Sequence, residues 1–115
     1  MTENVAQAGQ ERMRDQIPFS SQAQVELLKF YGLVLEVWTL AVRALASGDR
    51  AIARAVMEGE DGIDAMHRQL RESHRQRLES GICTPKADIL FVETLRNLER
   101  IGDHADNLGV SVLRN

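Results

Sequence analysis

Between Ser80 and Pro85 the helical pattern of the chain is broken for only a few residues, and this short break limits the fold more than any other feature. Upstream, a helix capped by Asp49 continues to about Ser80 and ends at Gly81, a residue free to close a helix in the left-handed conformation. Downstream, Thr84 caps the next helix and Pro85 sits in its first turn, the favoured place for proline. That helix runs nearly to the C-terminus. So brief a connection forces the two helices into an antiparallel pair. With a turn near Gly81-Ile82, residues whose numbers sum to about 163 lie level across the pair.

A further helix precedes them. Ser21 and Gln24 have the spacing of a capping box, and the helix runs to about Ala46, stopping at Ser47-Gly48. Leu27, Tyr31, Val34, Trp38, Ala41 and Leu45 form one apolar line, and Leu28, Leu35 and Val42 a second. A helix apolar around most of its circumference is buried on more than one side. Two neighbouring helices cover part of it, and Leu28, Leu35 and Val42 are expected to face a partner chain. Ile52, Val56, Gly59, Ile63, Met66 and Leu70 make the core line of the second helix; Leu98, Ile101, Ala105, Leu108 and Val112 make that of the third. Only 4% of the 115 residues are aromatic and two are proline, strand signals are missing, and the length suits one core. The expected fold is all-α: an antiparallel three-helix bundle of spectrin-repeat-like architecture over residues 19–115. Residues 1–18, polar and ending in Ile17-Pro18, read as a linker or a frayed helix, a start that suits a domain preceded by something larger.

Several function classes are disfavoured. A net charge of −3, with arginines interleaved among acids, argues against nucleic acid as a partner. The single Cys83 cannot form an internal disulfide and fits a reducing, cytoplasmic setting. The apolar run Leu27 to Ala46 is interrupted by Lys29, Glu36 and Arg43 on one helix face, which a membrane span rarely tolerates. There is no Gly-rich phosphate loop, zinc-spaced Cys/His cluster or nucleophile elbow, so the chain is expected to work by binding and not as an enzyme.

The chemistry concentrates in acids. Glu60-Asp61-Gly62-Ile63-Asp64 and Glu99-Arg100-Ile101-Gly102-Asp103 both read Glu-x-x-x-Asp. In the antiparallel pair Asp64 faces Glu99 and Glu60 faces Asp103, which gathers four carboxylates at one height on the bundle surface. Their mutual repulsion raises their pKa values unless a hard multivalent cation, for which carboxylate oxygens are preferred ligands, cancels it. His67 lies one turn along from Asp64 and could add a nitrogen ligand, and Asp106 extends the acidic row. Residue type leaves iron, magnesium, manganese, zinc and calcium open. His67, His74 and His104 otherwise read as surface histidines. Gly59, Gly62, Gly102 and Gly109 lie inside helices at a cost of about 1 kcal/mol each, and Gly62 and Gly102 flank the acids where they would permit close backbone approach.

At these residues a family pattern emerges. Leu98-Glu99-Arg100-Ile101-Gly102-Asp103-His104-Ala105-x-Asn107-Leu108 resembles the signature of the PhoU family of phosphate-uptake regulators. The run Arg77 to Pro85, followed by Val92-Glu93 and Leu98, looks closer to the PhoU-like domain at the cytoplasmic C-terminus of bacterial sodium/phosphate cotransporters. The resemblance covers about residues 20–112. It implies a PhoU-like three-helix bundle whose paired motifs hold surface metal clusters, iron in some members, with Glu60, Asp64, Glu99 and Asp103 as ligands. It also implies a transporter membrane domain or a second PhoU-like chain as partner, with homo-oligomerisation, because full-length relatives resemble two such bundles in tandem. Three rivals remain. A metal-free helical adaptor needs no acid quartet. A di-iron bundle enzyme takes inward-facing Glu-x-x-His motifs, and the nearest approach here, Asp64-x-x-His67, occurs once and off the core line. A phosphotransfer bundle would use His67 or His74.

Overall fold

The computed structural model describes residues 19–82 and 84–115; the expected linker 1–18 and Cys83 lie outside the described residues. Three helices follow one another: α1, Ser21–Ser47; α2, Arg50–Glu79; and α3, Pro85–Arg114. Each packs along both others, giving the expected all-α three-helix bundle, with no strand among the described residues. No helix among these residues is long and apolar enough to cross a membrane.

The boundaries follow local chemistry. Asp49 accepts hydrogen bonds from the amides of Ala51 and Ile52, and Thr84 Oγ1 accepts from Ala87 N at 3.1 Å. Gly48 and Gly81 adopt φ values of 71° and 74°, the left-handed conformation that ends α1 and α2. The first cap differs from expectation by one residue. Ser20 Oγ, not that of Ser21, accepts from Ala23 N at 3.1 Å, and Gln24 donates to the Phe19 carbonyl instead of closing a capping box.

The core seams are also rotated from the expected lines. On α1 the buried residues are Ala23, Phe30, Val34, Val37, Ala41 and Ala44, while Tyr31 and Leu45 are exposed. Phe30 thus fills the core, the alanines Ala23, Ala41 and Ala44 sit where the helices approach, and Leu27 and Trp38 pack against the core from its margin. On α3 the seam is Ala87, Phe91, Leu95, Leu98, Gly102, Ala105, Gly109 and Val112, with Ile101 exposed. Gly59 shows the reason for close packing. A Cβ there would stand 2.5 Å from Val37 Cγ2, so the glycine lets α2 press against α1.

Candidate functional site

On α2 one core line repeats every seventh residue as Val56, Ile63, Leu70 and Arg77, and beside it runs a second, Ala53, Glu60, His67 and His74. The second line is polar over three of its four positions. It lies between α2 and α3, where desolvated polar groups need partners. Acids of α3 face this line in order along the antiparallel pair: Glu99 and Asp88 pair with His67 and His74, whereas Asp103 sets a like charge against Glu60. The hairpin register expected from the sequence is therefore correct to within a turn.

Glu60 is the centre of the acidic end. It is only 9% exposed, so it is not the surface ligand the helical spacing suggests. Gly102 makes this burial possible: a Cβ there would lie 3.0 Å from Glu60 Oε2 and 3.2 Å from Ile63 Cδ1. Glu60 Oε2 is buried without a hydrogen-bond partner. Burial, followed by the charges of Asp64, Asp103 and Asp106, pushes the Glu60 carboxyl up to about 7. Asp106 is raised as well, by burial first and then by Asp103, Asp64 and Asp61. A carboxylate facing other carboxylates is satisfied by a shared proton or by a cation, and hard oxygen donors of this kind suit a hard cation. As the side chains stand, no three His, Cys, Asp or Glu among the described residues form a group that could hold a metal ion.

The remaining sequence candidates are distributed along the seam. Asp64 is half-buried beside Glu60 and Asp106. Glu99 accepts from His67, with 2.9 Å between its Oε2 and His67 Nε2, so Glu99 pairs one turn away from the expected Asp64. Side chains lean toward the N-terminus of their own helix, and in an antiparallel pair this brings His67 and Glu99 together. His67 is tied to α3 and half-buried, not a free surface histidine.

His74 and Arg77 are the buried groups that sequence reasoning misses. His74 stacks on Phe91 with ring centroids 4.5 Å apart, and its Nε2 meets Asp88 Oδ1. Arg77 lies over the other side of the same neighbourhood, 5.3 Å from the Phe91 centroid, and donates to Glu26 of α1. This end of the bundle joins all three helices by charged pairs around one aromatic ring. The seven-residue repeat carried the signal: extending Ile63 and Leu70 by one step reaches Arg77, and extending Glu60 and His67 reaches His74.

A second candidate feature is the outer face of α1. Leu28, Leu35 and Val42, the expected partner face, are all exposed, Leu28 by 69%. Beside them an apolar groove of about 330 Å³ runs between α1 and α3, lined by Tyr31, Val34, Leu35, Trp38, Leu98, Ile101 and His104.

The chain is similar in sequence to known proteins. The PhoU domain family model matches residues 27–112, about three-quarters of the chain. A phosphate-specific transport system accessory protein, PhoU homolog 1 of Thermotoga maritima, is 31% identical over 88 residues. The aligned part is 76% of this chain and 38% of that relative, so the chain spans well under half the relative's length. No solved structure matches the chain.

Proposed function

The chain belongs to the PhoU domain family, and from that premise we propose that it is a cytoplasmic regulatory domain of phosphate transport that acts by binding and not by catalysis. It would serve as the cytoplasmic domain of a sodium/phosphate cotransporter or as a separate chain docking on such a transporter. The support for phosphate transport is the family itself and the name of the Thermotoga relative. The outer face of α1, with Leu28, Leu35 and Val42 exposed, is the surface suited to a transporter membrane domain or a second PhoU-like chain.

One observation carries the reading beyond family membership: Glu60 Oε2, buried and unpartnered among Asp64, Asp103 and Asp106. A metal ion at this acidic end would be held by Glu60, Asp64 and Asp103, with Asp106 alongside. When bound, the cation would neutralise the cluster and cross-link α2 to α3. Iron is favoured by the family resemblance, with magnesium, manganese, zinc and calcium as alternatives. Glu99 and His67 would act mainly by bracing one another beside the ion, and would join it only by giving up their mutual bond.

Phosphate uptake in cells carrying the transporter, with and without this chain, tests the regulatory part. A change in uptake rate, or in its response to external phosphate, is the expected outcome. Uptake identical in both strains would count against regulation.

A further inference from the structure

The outer groove between α2 and α3 carries more guanidinium groups than its acids neutralise. Arg68, Arg71 and Arg75 stand three and four residues apart on one stripe of α2, beside the apolar floor that Val92 and Leu95 of α3 provide. Arg75 is held on both sides, by Glu72 and Glu79, at 2.6 Å each. The other acids of the groove are also engaged, Glu99 with His67 and Asp88 with His74. Among the described residues, Arg68, Arg71 and Arg96 form no ion pair. The groove consists of two hollows that share Arg71, Val92 and Leu95. The narrower, of about 160 Å³, has Arg71 of α2 on one wall and Arg96 of α3 on the other. The wider, of about 460 Å³, continues past Arg68 and Arg75 to Leu78.

We propose that this groove binds a phosphate group, held at its narrow end between the guanidinium forks of Arg71 and Arg96. A guanidinium donates two parallel N–H bonds in one plane, so two forks on opposite walls call for an anion whose oxygens point in more than one plane. A tetrahedral phosphate has that shape. A carboxylate, with both oxygens in one plane, fills one fork and leaves the other empty. The apolar floor lowers the local dielectric and strengthens the attraction. Arg68, one turn from Arg71, adds charge from the wider hollow, where the body of a phosphate monoester has room over Val92 and Leu95. Inorganic phosphate would use the narrow end alone. Glu99 lies at that end and opposes an anion, but its Oε2 is 2.9 Å from His67 Nε2, which draws its charge inward toward the seam. This inference goes beyond the regulatory reading and rests neither on it nor on a metal ion at the acidic end.

Calorimetry on the metal-stripped full chain decides it, in an oxyanion-free buffer at constant ionic strength. Inorganic phosphate is expected to bind once per chain with a dissociation constant below about 1 mM. Arg71 and Arg96 are exposed, so Arg71→Gln and Arg96→Gln should keep the fold, as circular dichroism would confirm. Each should raise the dissociation constant by at least about tenfold. Arg54→Gln, at an exposed position of α2 outside the groove, should leave it unchanged. Phenyl phosphate separates the two sources of the phosphate group. Tighter binding than inorganic phosphate supports an ester as the ligand, and equal or weaker binding supports inorganic phosphate. No binding of either at about 10 mM would overturn the proposal. So would equal binding of acetate, full affinity in Arg71→Gln and Arg96→Gln, or an equal loss in Arg54→Gln, which would mean diffuse attraction to charge. A chain that bound no phosphate and still altered phosphate uptake would remove this inference and leave the regulatory reading standing.

Discussion

Gly59 and Glu60 are adjacent in sequence, and each is decided by a residue on a different helix. A methyl group at Gly59 would collide with buried Val37 of α1, 2.5 Å from its Cγ2. Gly59→Ala gains about 1 kcal/mol of helix propensity and loses about 1–3 kcal/mol to overpacking. The expected net result is lower stability by chemical denaturation; a stabilised variant would mean that the α1–α2 contact is loose. Glu60 responds to pH. Its carboxyl is raised from 4.5 to about 7, so between these values the folded chain holds a proton that the unfolded chain has released. Stability therefore falls as pH rises through that window and levels off above it. Glu60→Gln keeps the neutral shape at every pH. In metal-free buffer its advantage over the wild type should open from about pH 4.5 to 7 and then stay constant, and parallel stability curves would contradict the buried acid.

At the level of the elements, the end of the bundle near the α2–α3 turn is held by Arg77, Glu26, Phe91, His74 and Asp88. Arg77 and Glu26 have side chains only 6% and 13% exposed. Glu26→Gln would leave the guanidinium buried without a counter-charge, at an expected cost of about 3 kcal/mol. Arg77→Met, which keeps volume and removes the charge, should cost less. The reverse order in a denaturation series would show that Arg77 matters for its packing. This cluster marks where the sequence stops being legible. Helix order, both left-handed glycine ends and the hairpin register were readable, because caps, breakers and short connections act locally. The level pairing of Glu60 with Asp103 followed from that register alone. Which face of each helix turned inward was harder. An apolar line through Tyr31 and Leu45 was as good a pattern as the true seam through Phe30, Val37 and Ala44, and only packing against two neighbours chooses between them. Burial of Glu60, His74 and Arg77 was concealed for the same reason: polar residues read as a wet face until their partners on other helices are known.

Across the whole molecule, α2 and α3 form a polarised pair. One end is charge-paired and anchored to α1 through Glu26, while the other brings Glu60 together with Asp64, Asp103 and Asp106, whose charges raise its carboxyl. Such a bundle is stabilised unevenly, and a cation at the acidic end would fasten the half that the chain itself leaves strained by repulsion. Binding there would stiffen the α2–α3 half of the bundle without any chemical step. The most direct test is calorimetric titration with Mn²⁺, a redox-stable hard cation, of the wild type and of an Asp64→Asn/Asp103→Asn variant, with the melting temperature followed in parallel. The expected result is binding of at least one ion per chain and a rise in melting temperature for the wild type, with both lost in the variant. Equal uptake by the two proteins, or none by the wild type, would contradict a cation site at the end of the α2–α3 seam.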